Sequence, residues 1–301
     1  GLRYQMEDSI GGGRMDEKTW TDGHWTSPEG LTLHYRAYPG RQDRPPVICI
    51  PGLTRNARDF EIVARDIAGE RRVLCLDLRG RGESDYAKDA ATYVPLQYVA
   101  DIEALLAETG ISRFIAVGTS LGGLVTMLLA AGGADRLAGA VINDIGPEIE
   151  AAGLARIREY VGQGRSYPTW MHAARALREQ SAAIFPDYGI SDWLCLAKRL
   201  MAVGGNGRIV LDYDMKIAEP FNTPAAQGEV DLWPAWRALA GRPVLVVRGA
   251  LSDLLSEKTL ARMASEIPAV ETVTIPQMGH APTLQEPEAR AAIARLLAKC
   301  G

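Results

Sequence analysis

A short glycine-bounded segment places a serine at a sharp turn between an apolar strand and an apolar helix. The segment Gly118–Gly122 reads GTSLG, follows the apolar run Phe114–Val117 and leads into the apolar stretch Leu121–Ala131. Glycines allow the close backbone approach that such a turn needs, and the free amides at the helix start face negative charge that develops beside the serine. We therefore predict that Ser120 is a nucleophile. The alternative is a serine that only caps the helix.

A serine hydroxyl is a weak nucleophile that needs a neighbouring base. The chain has four histidines. His24 and His34 precede the apolar core strands, and His172 lies in the middle of the chain. His280, in the sequence QMGHAP, follows the last predicted strand, so its loop lies at the same sheet edge as Ser120. We predict that His280 is the general base; the alternative is a solvated loop histidine.

A catalytic imidazole needs a carboxylate that holds its tautomer and stabilises the imidazolium form. Asp253 follows the predicted strand Val244–Val247, and it gives the order Ser, Asp, His along the chain. Asp144, in the sequence INDIGP, ends the preceding predicted strand and is the competing candidate. We predict that Asp253 is the acid and that Asp144 belongs to a loop or hinge.

Acyl transfer also requires hydrogen-bond donors that face the developing oxyanion. The backbone amide of Leu121, directly after Ser120, is one candidate. The second is the amide of Leu53, in the sequence IPGLT after an early apolar run, where Gly52 allows a tight turn. A plain Pro-Gly turn is the alternative for this loop.

Short apolar runs alternate with amphipathic stretches, which predicts a doubly wound, mostly parallel α/β sheet with helices on both faces. The predicted strands are Leu31–Tyr38, Pro46–Ile50, Arg72–Leu76, Arg113–Val117, Ala138–Ile142, Pro243–Val247 and Val270–Ile275. The predicted helices are Asp59–Ala68, Leu96–Glu108, Leu121–Ala131, Ser256–Ile267 and Pro287–Lys299.

The alternation of strands and helices stops between residues 147 and 236. Here glycine and proline separate short helical stretches, and no strong strand is predicted. We predict that this segment is an inserted helical cap, the alternative being an extra helical layer with no role in substrate binding. The core then comprises residues 31–146 and 237–301. Residues 1–30 form a leader and lead-in, of which 1–14 are expected to lie outside the fold.

Composition narrows the classes of partner. The 301 residues are 47% apolar and 23% charged with a net charge of −4, and no long run of one sign suggests binding to nucleic acid or a polybasic membrane contact. The longest apolar stretch is shorter than the roughly 20 residues that cross a bilayer. Four cysteines without a CxxC pair predict neither zinc nor redox chemistry. We expect a cytoplasmic protein with a small-molecule substrate and no cofactor or metal; a homo-oligomer stays open.

Taken together, these motifs resemble those of the α/β-hydrolase superfamily, and within it the esterase-like members with a helical cap, from about Gly30 to Lys299. The stretch Asp77–Asp85, DLRGRGESD, is similar to the DxRGxGxSD loop of such enzymes and is expected to be structural. One departure is Pro51, at a position where a histidine is common in the oxyanion loop. The resemblance implies a hydrolase that forms an acyl-enzyme at Ser120.

The nucleophile discriminates among the chemistries of this superfamily. Haloalkane dehalogenases and epoxide hydrolases resemble this architecture but use aspartate at the turn, and dienelactone hydrolases use cysteine. The GTSLG turn also differs from the GGSWG type of proline iminopeptidases. Hydrolysis of carboxylic esters or lactones is therefore the leading prediction, with carbon–carbon bond hydrolysis of meta-cleavage products or a non-catalytic ligand receptor as alternatives. An apolar pocket lined by cap aromatics would suit small to medium hydrophobic substrates, but ordinary packing within the cap explains each aromatic more simply: Trp170, Phe185, Tyr188, Trp193 and Phe221.

Overall fold

A central β-sheet organises the chain in the computed structural model, which describes residues 20–222 and 230–301. The strands are β1 (Thr21–Thr26), β2 (Thr32–Tyr38), β3 (Val47–Ile50), β4 (Val73–Asp77), β5 (Phe114–Thr119), β6 (Leu137–Asn143), β7 (Ser166–Tyr167), β8 (Met201–Val203), β9 (Ile209–Leu211), β10 (Val244–Gly249) and β11 (Glu271–Ile275). In the described residues, the main sheet has eight strands in the order β1-β2-β4-β3-β5-β6-β10-β11. The pairs β1–β2 and β2–β4 are antiparallel, and the remaining pairs are parallel.

The helices divide into those of the core, which cover both faces of this sheet, and those of the inserted segment, residues 147–236. They are α1 (Glu61–Ile67), α2 (Pro95–Thr109), α3 (Leu121–Gly133), α4 (Ala151–Tyr160), α5 (Trp170–Ser181), α6 (Ile190–Leu200), α7 (Ala218–Phe221), α8 (Trp233–Arg237), α9 (Glu257–Glu266) and α10 (Pro287–Ala298). One hydrophobic cluster includes α2, α3 and α8, and a second on the opposite face includes α1 and α10.

The unbroken apolar strands are explained by this two-sided burial. In β3, Ile48 and Ile50 point into the first cluster, whereas Val47 and Cys49 point into the second. Side chains alternate between the faces of a strand, so a strand covered on both sides needs apolar residues at every position. The predicted doubly wound α/β fold is confirmed.

The sheet begins earlier in the chain than we predicted. β1 lies within the expected lead-in of residues 1–30, and it pairs antiparallel with β2 from Thr21 opposite Ala37 to Thr26 opposite Thr32. Its pattern is hard to recognise because Trp25 is the one β1 side chain that is fully buried. The predicted leader at residues 1–14 lies outside the described residues.

The inserted segment, residues 147–236, contains strands as well as helices. Strands β7, β9 and β8 form a small antiparallel sheet, so the segment is not the purely helical cap that we predicted, although each of its strands is short. Two- and three-residue strands are too short to show a periodic pattern. The segment has a hydrophobic cluster of its own that includes Trp193 and Leu196. Its last helix, α8, instead packs on α3 of the core.

Candidate active site

Ser120 occupies the sharp turn between β5 and α3. Its φ of 53° lies in the left-handed region, and the first helical amides, those of Gly123 and Leu124, donate to its carbonyl oxygen. A Cβ on Gly122 would lie 1.9 Å from the carbonyl oxygen of Ile50. Residue 122 therefore has to be glycine for the turn to pack against the end of β3, which explains this part of the GTSLG pattern.

His280 reaches the serine from the loop after β11. Its Nε2 lies 2.8 Å from Ser120 Oγ, and its side chain is largely buried. Backbone hydrogen bonds hold this loop on both sides: Gly279 N donates to Ile184 O at 2.7 Å, and Leu251 N donates to Met278 O at 2.8 Å. The two residues predicted as nucleophile and base are thus within hydrogen-bonding distance.

Asp144 supplies the carboxylate that contacts the imidazole. Its Oδ2 lies 2.5 Å from His280 Nδ1, and its side chain is fully buried. Gly249 N donates to Oδ1 at 2.8 Å and Ser252 Oγ donates to Oδ2 at 2.7 Å, so both carboxylate oxygens have partners. These bonds fix the carboxylate against the imidazole nitrogen that faces away from Ser120.

The prediction that Asp253 holds the imidazole was wrong. Asp253 accepts two hydrogen bonds from the Arg156 guanidinium, at 2.6 and 3.0 Å, and is about one-third exposed. Burial alone would raise the pKa of Asp253, but the Arg156 guanidinium outweighs burial and the pKa is lowered. The sheet order gives the reason: β6 lies between β5 and β10, so the end of β6 at Asp144 is the one next to the serine turn.

The two predicted oxyanion donors belong to loops that meet at Ser120. The Leu121 amide precedes the first intrahelical donors of α3, so it lies at the open end of the helix. In the facing loop, a Cβ on Gly52 would lie 3.8 Å from Ser120 Cβ. Arg81 Nε donates to the carbonyl oxygen of Leu53 at 2.9 Å, which holds that loop in place.

The DLRGRGESD stretch holds the loop that carries Leu53. Arg81, buried in this stretch, also donates to Tyr98 Oη and to the carbonyl oxygen of Arg79, both at 2.8 Å. Asp77 accepts hydrogen bonds from the amides of Ala57 and Glu83. The stretch therefore lies beside the site and positions backbone groups.

A cavity of about 200 Å³ opens above Ser120 between the core and the inserted segment. Of the five cap aromatics named from the sequence, Phe185 lines the cavity, whereas Trp193 lies behind Phe185 in the segment's own hydrophobic cluster. Sequence reasoning missed the charged side chains in the wall: Arg55, Asp59, Arg156, Glu159, Arg165 and Arg199. The cavity is consequently more polar than the aromatic content of the segment suggested.

The chain also matches a known protein family, in agreement with this arrangement. The model of the "Alpha/beta hydrolase family" matches residues 47–293, which includes the serine turn and the His280 loop. The chain belongs to the α/β-hydrolase family. It is a hydrolase, and in the described parts of the chain no helix has the length and apolarity needed to span a bilayer.

Individual relatives extend the match over most of the chain. A 3-hydroxybutyrate-oligomer hydrolase of Cupriavidus necator is 40% identical over 271 residues, covering 87% of this chain and 91% of that protein. The crystal structure of an α/β hydrolase from Novosphingobium aromaticivorans is 61% identical, has a TM-score of 0.91, and covers 94% of this chain and all of the other. A 2-(acetamidomethylene)succinate hydrolase of Mesorhizobium japonicum is 27% identical, covering 83% of this chain and 85% of that protein.

Proposed function

We propose that this α/β hydrolase is a serine esterase that works through an acyl-enzyme. The observation that carries the proposal is the continuous chain of contacts from Ser120 through His280 to Asp144. His280 Nε2 is placed to take the hydroxyl proton as Oγ forms a bond to the ester carbonyl carbon. The buried Asp144 carboxylate then faces the N–H at Nδ1 and stabilises the imidazolium.

The remaining steps follow from the same geometry. Negative charge on the former carbonyl oxygen is met by the backbone amides of Leu53 and Leu121, and removing one such donor typically costs about 100- to 1000-fold in rate. The imidazolium returns its proton to the alcohol oxygen as the carbon–oxygen bond breaks. Water, deprotonated by His280, then attacks the acyl-enzyme and releases the acid and free Ser120.

For the substrate, we propose oligoesters of short 3-hydroxy acids. The name of the Cupriavidus necator relative, which covers most of this chain at 40% identity, supports this class of ester. The wall of the cavity supports it as well, because it contains arginines as well as apolar side chains such as Leu177 and Phe185. A linear oligomer of this kind has apolar methyl branches, polar ester groups and one free carboxylate.

The test of the proposal uses an activity-based probe and matched substrates. We expect wild-type protein to react with a fluorophosphonate probe and to hydrolyse p-nitrophenyl acetate and the 3-hydroxybutyrate dimer. Ser120→Ala is expected to lose both labelling and turnover while its circular dichroism spectrum and melting temperature stay close to wild type. Labelling that persists in Ser120→Ala contradicts the role proposed for Ser120. A wild-type protein without labelling or turnover contradicts the esterase proposal and favours a non-catalytic receptor. Turnover of ring-cleavage products without ester turnover favours carbon–carbon bond hydrolysis.

A further inference from the structure

The wall of the cavity contains arginines in two different situations. Arg55 and Arg156 each form a bidentate ion pair, with Asp59 at 2.6 Å and with Asp253 at 2.6 Å. Their charge is therefore already matched by carboxylates of the chain. Within residues 20–222 and 230–301, Arg165 and Arg199 form no ion pair shorter than 4.0 Å, and Arg165 is exposed to water.

Arg199 is half-buried, so its guanidinium is the less hydrated of the two. The Gln285 side-chain amide faces it: with the amide oxygen turned towards the guanidinium, it accepts from Arg199 Nη1 and from Nη2. The neighbouring Glu286 uses one carboxylate oxygen to accept from Thr283 N and Oγ1, at 2.8 and 2.9 Å. A neutral amide thus orients the guanidinium without cancelling its charge.

The backbone of Arg199 is fixed to the core beside the proposed oxyanion loop. Its carbonyl oxygen accepts from Asn56 Nδ2 at 2.8 Å and from Arg58 Nη2 at 2.9 Å, and Asn56 is fully buried. Asn56 lies three residues after Leu53, and Gln285 lies five residues after His280 in the same loop. Arg199 is therefore anchored to both loops that carry the proposed chemistry.

A guanidinium in such a position is suited to binding a carboxylate. Its planar fork of donors matches a carboxylate bidentately, and a charge-assisted pair of this kind is stronger than a neutral hydrogen bond. A half-buried cation that faces a cavity of about 200 Å³ is stabilised by an anion that enters the cavity. Among the groups of an oligoester, only the free terminal acid carries such a charge.

We infer that Arg199 binds the free carboxylate of the substrate and so selects short oligoesters that end in an acid. This inference rests on the proposed esterase function and adds to it the recognition of one end of the substrate. The carboxylate at Arg199 and the scissile carbonyl at Ser120 then fix both the direction and the length of the chain that reacts. Neutral esters lack this anchor and are poorer substrates.

The experiment compares the 3-hydroxybutyrate dimer with its terminal carboxamide, which differs by one oxygen-for-nitrogen replacement and by charge. We expect wild type to have a kcat/KM for the acid about 10- to 100-fold above that for the amide. Arg199→Gln is expected to reduce this ratio to about one, mainly through the KM of the acid, and Arg199→Lys to restore part of it. Arg175→Gln, an exposed arginine on α5, is the matched control and is expected to keep the wild-type ratio.

Each other outcome has a definite meaning. A wild-type ratio near one, or a ratio that Arg199→Gln leaves unchanged, overturns the inference and assigns Arg199 a structural role beside Glu286; a lower melting temperature without a change in ratio is the signature of that role. If wild type reacts with the fluorophosphonate probe but cleaves neither dimer, the carboxylate assignment fails alone. If the probe does not react, the proposed esterase function fails and the assignment fails with it.

Discussion

At the scale of single residues, the roles of Asp144 and Asp253 can be distinguished by replacing one carboxylate at a time. We expect Asp144→Asn to lower kcat for p-nitrophenyl acetate by about 10⁴-fold, because an amide at this position stabilises the wrong imidazole tautomer. Asp253→Asn loses the ion pair with Arg156 and a longer-range interaction with His280, but no hydrogen bond to the imidazole, and is expected to keep kcat within about tenfold of wild type. Steady-state kinetics on both variants measures the difference, and circular dichroism confirms that both variants are folded.

A loss of kcat confined to Asp253→Asn would contradict the contact between Asp144 and His280. Equal and large losses in both variants would indicate that the two carboxylates act together. Melting temperatures of both variants serve as the control, because Asp144 also binds Gly249 N and Ser252 Oγ.

Sequence reasoning predicted the contact between Ser120 and His280 but not the carboxylate that contacts the imidazole. The glycines around Ser120 and the place of His280 after the last strand are local signals that a sequence contains. The choice between Asp144 and Asp253 depends instead on which strand neighbours β5, and the order β5-β6-β10 is a property of the folded sheet. Both residues follow parallel strands at the same edge, so no local pattern distinguishes them.

At the scale of structural elements, the start of α3 tests the packing of the serine turn. We expect Gly122→Ala to abolish probe labelling and to lower stability, since its Cβ would lie 1.9 Å from the carbonyl oxygen of Ile50 and backbone would have to move. Gly132→Ala, on the same helix with no atom within 4 Å of the added Cβ, is the control. It is expected to keep full labelling and to gain up to about 1 kcal/mol in the free energy of unfolding. Normal labelling of Gly122→Ala would contradict this account.

A second prediction concerns the attachment of the inserted segment. Arg58, in the core, donates to the carbonyl oxygens of Lys198, Arg199 and Met201 and pairs with Asp212 at 2.8 Å. We expect Arg58→Ala to raise KM for the dimer and to lower the free energy of unfolding by about 1–3 kcal/mol, because these acceptors lose a charged donor.

Urea denaturation and steady-state kinetics measure both effects. The matched control is Arg65→Ala, which removes an exposed i,i+4 pair with Glu61 on α1 and is expected to cost at most about 0.5 kcal/mol. Equal effects of the two substitutions would show that Arg58 makes no special contribution to holding the segment.

The longer elements were predictable, and the short ones were not. The predicted strands and helices of the core match β2–β6, β10, β11 and their helices within a few residues. Strands β3–β6 and β10 are buried on both faces and read as continuous apolar runs, whereas β2 and β11 are partly exposed and alternate between apolar and polar residues. Strands β7–β9 are too short for an alternating pattern of apolar and polar residues to be recognised in the sequence. The arginines of the cavity wall were missed for a related reason: their spacing in sequence says nothing about which of them face Ser120.

At the scale of the whole molecule, a buried histidine connects three strands and makes stability depend on pH. His34 on β2 contacts Asp77 at the end of β4 through Nδ1 and Asp22 on β1 through Nε2, each at 2.7 Å. Burial disfavours the charged imidazolium, but the hydrogen bonds with Asp77 and Asp22 outweigh burial and raise the pKa of His34.

The raised pKa of His34 determines how the stability of the protein changes with pH. A histidine whose pKa is raised by folding contributes its full stabilisation below the unfolded value of about 6.5, and the contribution is lost as the pH rises through the folded pKa. We therefore expect the free energy of unfolding, measured in urea, to fall as the pH is raised from 6 to 9, and to fall less in His34→Gln. An identical decrease in both proteins would contradict the assignment.

The pairing of Asp253 with Arg156 also has a consequence for the inserted segment. Asp253 lies in the loop after β10 of the core, whereas Arg156 lies on α4 of the segment, so their ion pair joins the two parts of the chain beside the cavity. The aspartate that does not contact the imidazole thus serves to attach the segment to the core, as the pair of Arg58 with Asp212 does elsewhere.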